Sequence, residues 1–261
     1  MDDQSLRNIL AILRKVQELS ASQNVTAMQF INYLATGNRP GASANMGGAR
    51  GLNQSTAARI SAYLIEQCNM ARIVIDHSQL VDEAKAGVRS AIDAVSAAFA
   101  IGALGGPLNS LNSSAPGFIS NLVILLSAAG VPFDQNTPLE AVDLAKEVDD
   151  LIAQFDNKEI DPVVRDVARK HLAALSTMLR HIPIFGLEAA LQAYFELSMK
   201  LRRADIQTTP ESKAGLDTIM DKVKSWGDKL QTLDGVMNTG ANLFDRASRA
   251  APLLQYLPPL G

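Results

Sequence analysis

Between Asp93 and Asp134 the chain carries no charged residue, a gap of forty positions (94–133) in a sequence where 20% of residues are charged. The gap holds an Ala- and Gly-rich segment, the connection GGPLNSLNSSAPG at 105–117 and the apolar run FISNLVILLSAAGV at 118–131. Two helical arms joined by a turn account for this order, which gives a hydrophobic helical hairpin over about 88–131. A helix that is apolar all round has no face to offer water, so something must cover it. On this reading 118–129 is the most completely buried helix of the fold.

The rest of the chain supplies the covering helices. Leu6, Ile9, Leu10, Leu13 and Val16 recur at helical spacing within 4–20, and a second helix is expected over 25–35. The stretch 55–104 reads as one long helix or as two helices broken near Asp76–Ser78. In the second half, Leu139, Val142, Val148, Leu151, Ile152 and Phe155 form one stripe. Val163, Val164, Val167, Leu172, Leu175 and Leu179 form the next. Thr137, with Pro138 and Glu140 behind it, is expected to cap the first of these helices, and Asp161-Pro162 to open the second. Pro183 forces a break before a helix over 185–204. A last long helix over about 209–234 sets Trp226 on a face with Ile219, Val223 and Leu230, where it should be buried. A short helix is expected at 239–250.

No alternating run is long enough for a strand. Aromatic residues are only 5% of the chain, so the core must rest on Leu, Ala, Val, Ile and Met. The expected fold is therefore all-α, a multi-helix bundle of amphipathic helices around the hydrophobic hairpin. Its expected divisions are an N-terminal helical pair at 1–36, a Gly-rich flexible loop at 37–53, a main bundle at 54–250 and an apolar, Pro-rich tail at 251–261.

The residues that usually carry chemistry do not converge in sequence. His77, His171 and His181 have no glutamate three residues before them, and no His-Glu-x-x-His occurs. One cysteine, Cys68, excludes a cysteine zinc site and an intrachain disulfide. Its one basic neighbour a turn away is Arg72, so Cys68 reads as a buried structural thiol. The GGARG of the Gly-rich loop lacks the lysine and hydroxyl of a phosphate-binding loop. The carboxylates around Asp149-Asp150 read as an acidic helix surface. No cofactor and no metal are expected. Net charge is −3 with no basic cluster, which argues against nucleic acid as a partner. The start of the chain has no secretory pattern, so a cytoplasmic location is expected, with signal-independent export left open.

Three functional readings follow. The first is a non-catalytic helical protein (scaffold, adaptor or assembly subunit) that acts through contacts with a protein partner or a second copy. Its candidate contacts are Phe99, Phe118, Ile119, Leu122, Leu125 and Leu126 in the hairpin, and Leu253, Leu254, Tyr256 and Leu257 in the tail. The alternative is a membrane-active or pore-forming effector that inserts 88–133. That layout resembles the hydrophobic hairpins of colicin-type and other α-helical pore-forming toxins over about forty residues. The resemblance implies a hairpin sheltered until a trigger releases it. Length weighs against a permanent span, which needs about 20 apolar residues, because Gly130 and Pro132 end the second arm early. The third reading is an enzyme whose site is assembled from Arg165, Arg169, Glu188 and Glu196.

Overall fold

The structure, a computed structural model, describes residues 4–21, 24–40, 54–78, 80–128, 137–155, 161–207 and 210–237. Among them are ten α-helices and no strand of a sheet. The Gly-rich segment beyond residue 40, the expected helix at 239–250 and the tail contacts Leu253, Leu254, Tyr256 and Leu257 lie outside the described residues.

The helices group into two units. The first holds α1 (Gln4–Ser20), α2 (Ala27–Thr36), α3 (Gln54–Asp76), α4 (Asp82–Phe99) and α5 (Asn109–Ala128), together with the segment Pro183–Gly186. The second holds α6 (Leu139–Gln154), α7 (Pro162–Arg180), α9 (Leu187–Gln207) and α10 (Pro210–Met237). Between α7 and α9 lies the single turn α8 (Ile182–Phe185). The expected pair at 1–36 packs with α3, α4 and α5, so its helices belong to the first unit's core.

In the first unit α1 is the central helix, packed against α3, α4 and α5. The expected stripe is buried, and Ile12, Leu19 and the polar Asn8 are buried with it. The long stretch after the Gly-rich segment breaks after Asp76, so α3 turns back into α4. Arg89 bonds Asp76 and Arg72 bonds Asp93 across that pair. Cys68 lies wholly inside it.

The hairpin arms depart from expectation. The helix α5 starts at Asn109, nine residues before the apolar run, and passes through Pro116. Leu108, Leu111, Ala115, Leu122 and Leu126 fall on one buried side. Their common burial overrides the turn-forming composition of 105–117. The run 118–127 is not enclosed. Leu122 and Leu126 are buried, Phe118, Ile119, Val123 and Leu125 are half-buried, and Ile124 is 65% exposed. The outer face is made by Ser113, Ser114, Ser120, Asn121 and Ser127. These side chains are uncharged yet polar enough to face water, so the charge gap does not mark a helix apolar all round.

The second unit closes a ring. The helix α7 packs on α6 and α9, and α10 packs on α9 and α6, as in a four-helix bundle. Asp161 caps α7 as expected, accepting from Val163 N at 2.8 Å and Val164 N at 3.2 Å. Thr137 does not cap α6: its hydroxyl donates to the Arg180 carbonyl at 3.1 Å and satisfies the end of α7 instead. Leu139, Val142 and Val163 are exposed, because Ala141, Leu144 and Ala145 in α6 and the second half of α7 carry the seam. Small alanines at those positions set the phase of the packing where large residues were expected to. Trp226 is 2% exposed and shares its face with Ile219, Val223 and Leu230. Its Nε1 donates to Glu147 at 3.2 Å.

Candidate functional site

The residues singled out in the uncharged segment divide into anchors and surface. Phe99, Leu122 and Leu126 are core: Phe99 packs on Phe30 of α2 with ring centroids 5.1 Å apart. Phe118, Ile119 and Leu125 stand at the edge of the core, each half-buried. Among the described residues of this segment, the most exposed large apolar groups are two that were not among those candidate contacts, Ile124 and Ile101, at 65% and 66% exposure. Ile101 follows the end of α4, where a 3-10 turn at Ile101–Ala103 begins the connection to α5. The phase of α5 would have found Ile124, since it lies opposite the 111–115–122–126 stripe.

That connection is held in place by α2. The first amide groups of any helix lack partners within it. Here the Leu104 carbonyl accepts from Met28 N at 2.8 Å and the Gly106 carbonyl from Ala27 N at 3.1 Å. In return Leu108 N donates to the Val25 carbonyl at 2.8 Å. Thr26 and Gln29 complete the start of α2 with a reciprocal capping box. The Phe99 carbonyl accepts from Ser61 Oγ of α3 at 2.6 Å. The tip of the α4–α5 hairpin is thus tied to α2 by backbone bonds. Close packing continues along the arms: a Cβ at Gly87 of α4 would lie 3.0 Å from the Asn121 side chain of α5.

At the tip end the two arms leave a groove of about 350 Å³. Its walls include Ala94, Ala97 and Ala98 from α4, Pro107 from the connection, and Ser110 and Leu111. Every one of its lining residues is uncharged. Its alanines keep the wall shallow, and no histidine, cysteine or charged side chain lines it.

The second unit holds the residues weighed for catalysis. His171 Nδ1 of α7 lies 3.8 Å from Glu196 Oε2 of α9, beyond hydrogen-bond length. Arg165 and Arg169 are half-buried and Glu188 is exposed. Between α9 and α10 lies another groove, about 330 Å³, lined by Tyr194, Ser198, Arg202, Met220, Asp221 and Lys224 among others. Its charges are mixed, and Ser198 Oγ has no hydrogen-bond partner among the described residues. Among the described residues no three His, Cys, Asp or Glu side chains gather to hold a metal ion. None of the described helices is long and apolar enough to cross a membrane.

Compared with protein-family models, curated proteins and solved structures, the chain finds no match. The functional reading therefore rests on the geometry just described.

Proposed function

We propose that this chain acts by contact with another protein, through the uncharged surface of the α4–α5 hairpin. The observation that carries the reading is the pair of exposed isoleucines, Ile101 and Ile124, on a hairpin without a single charge from Ala94 to the end of α5. Charged side chains are depleted at the centres of protein interfaces, where aliphatic and aromatic groups dominate. The half-buried Phe118, Ile119, Val123 and Leu125 extend the apolar area around Ile124, and an uncharged groove beside Ala94 and Ala98 gives relief at the tip end. The hydrogen bonds from the tip to α2 support a surface that binds as it stands.

Membrane insertion of 88–133 is the competing reading. It would break the three backbone bonds at the tip, each worth about 0.5–1.5 kcal/mol, and uncover Phe30, Phe99 and the apolar face of α1.

A photo-reactive amino acid placed at 101, at 124 and, as a control, at the exposed Asp217 of α10 tests the proposal. The expected result is one discrete adduct from both hairpin positions, absent from the control and suppressed by Ala97→Lys. Equal labelling from all three positions defeats it. Leakage of dye from anionic vesicles that Leu125→Asp abolishes would favour the competing reading.

A further inference from the structure

The segment Pro183–Gly186 lies between two helices of the second unit yet belongs to the first. After α7 and Ile182 the chain contributes four residues there and returns at Leu187 to begin α9. Connections ordinarily run over the surface, because a buried loop strands its polar backbone. This one is buried: Ile184 is 3% and Phe185 1% exposed. The Phe185 ring meets Tyr63 of α3 edge-on, with centroids 6.4 Å apart.

The polar side of the segment is provided for. Pro183 has no N–H to strand. Asn8, in the mostly apolar buried face of α1, is 1% exposed. Its carboxamide lies 2.7 Å from that of Gln4 and 2.6 Å from that of Gln67 on α3. With its nitrogen turned toward the segment it donates to the Pro183 carbonyl at 3.0 Å. Gly186 turns the chain out again at φ +79°, a conformation that side chains disfavour, and a Cβ there would come 3.4 Å from the Asn8 amide. In one orientation the Asn8 amide pairs with Gln4 and Gln67, and in the other with the Pro183 and Gln4 carbonyls; in both it stands where α1, α3 and the segment meet.

We propose that Pro183–Gly186 is a strap that completes the core of the first unit, so that this unit cannot open while the α7–α9 pair delivering the strap stays folded. Ile184 and Phe185 fill space that α1 and α3 would otherwise leave to water. The strap cannot leave without bringing Ile184 and Phe185 into water, nor can it be displaced without moving the ends of α7 and α9 to which it is joined. Opening of the first unit is thereby linked to unfolding of the second.

The chain carries its own reporter for each unit. Cys68 is its one cysteine, fully buried on α3. Trp226 is its one tryptophan, buried on α10. Thiol labelling of Cys68 and Trp226 fluorescence, followed on the full chain through a urea titration, should give coincident midpoints. Leu13→Ala, a core lesion on α1 that leaves the strap intact, should lower both midpoints together. Ile184→Ser with Phe185→Ser should separate them, with Cys68 reacting at a urea concentration lower by on the order of 1 M. If that variant does not fold, Gly186→Ala takes its place and should separate them in the same order. Separate midpoints in the unaltered chain, separation by Leu13→Ala, or strap variants that move both probes together would each overturn the proposal.

Discussion

Cys68 shows how burial turns into chemistry for a single residue. Removal from water pushes its thiol from 9.0 up to about 12; the nearby Arg72 cation pulls the other way, and Asp93 adds to the rise. The thiolate is thus the disfavoured form inside the first unit. Between those two pH values the folded chain keeps a proton that the unfolded chain has released. The stabilisation is complete below the unfolded value and is lost as pH climbs toward the folded one, at up to about 1.4 kcal/mol per pH unit. Denaturant titrations at pH 8 and pH 10.5 should therefore show a larger loss of stability for the unaltered chain than for Cys68→Ala. Equal losses would mean that water reaches the thiol. Trp226 makes a second case, because its bulk and its one polar atom are both satisfied, the latter by Glu147. Trp226→Ala should cost about 3–5 kcal/mol in equilibrium denaturation. A cost under about 1 kcal/mol would place the ring at the surface.

A helix reads as buried or exposed by the phase of its side chains, and α5 separates the two within three residues. Leu122 is fully buried whereas Ile124 is 65% exposed. Leu122→Asp would put an unpaired charge against α1 and α4, at a cost of about 3–5 kcal/mol. Ile124→Asp should stay within about 0.5 kcal/mol of the unaltered chain, and suppress the adduct made from position 101. If Ile124→Asp unfolds the chain in the absence of any partner, the exposed phase assigned to α5 is wrong. The α9–α10 pair offers a test of close approach. A Cβ at Gly227 of α10 would fall 2.7 Å from the Tyr194 hydroxyl of α9 and 3.4 Å from the ring carbon bearing it. Gly227→Ala should therefore destabilise by about 1–3 kcal/mol through overpacking. Tyr194→Phe in the same chain removes the closest atom and should recover that loss, leaving the gain of roughly 1 kcal/mol that alanine brings to a helix interior. A Gly227→Ala chain that is stable without the second change would show that the ring moves aside freely.

Across the whole molecule, what could be read beforehand was local. The helix class, the Asp161 cap and the Trp226 face each follow from a few neighbouring residues, whereas the break after Asp76 was one of two alternatives that the sequence left open. What could not be read was the partner of each face. The apolar run in α5 looked central because it lacks charge, but serines and asparagines give it a solvent side. The true centre of the first unit, α1, carries Arg7, Arg14 and Lys15 and looked like an ordinary covering helix. Nothing local marks Ile184 and Phe185 as core residues beside α1 and α3, helices more than a hundred positions upstream. For the α4–α5 surface, the absence of charge was legible but the groove and the bonds to α2 were not, because they depend on how distant segments meet. This contrast between charge and enclosure can be measured by amide exchange. Amides exchange from open forms, and the last to exchange lie where opening demands the most unpacking. In the first unit that place is α1, from Ile9 to Val16, since its side chains meet three other helices. The amides of 118–127 sit on a helix with one face in water and should exchange well before them. A map in which 118–127 outlasts α1 would restore the apolar run as the centre of the fold and remove the surface on which the proposed contact rests.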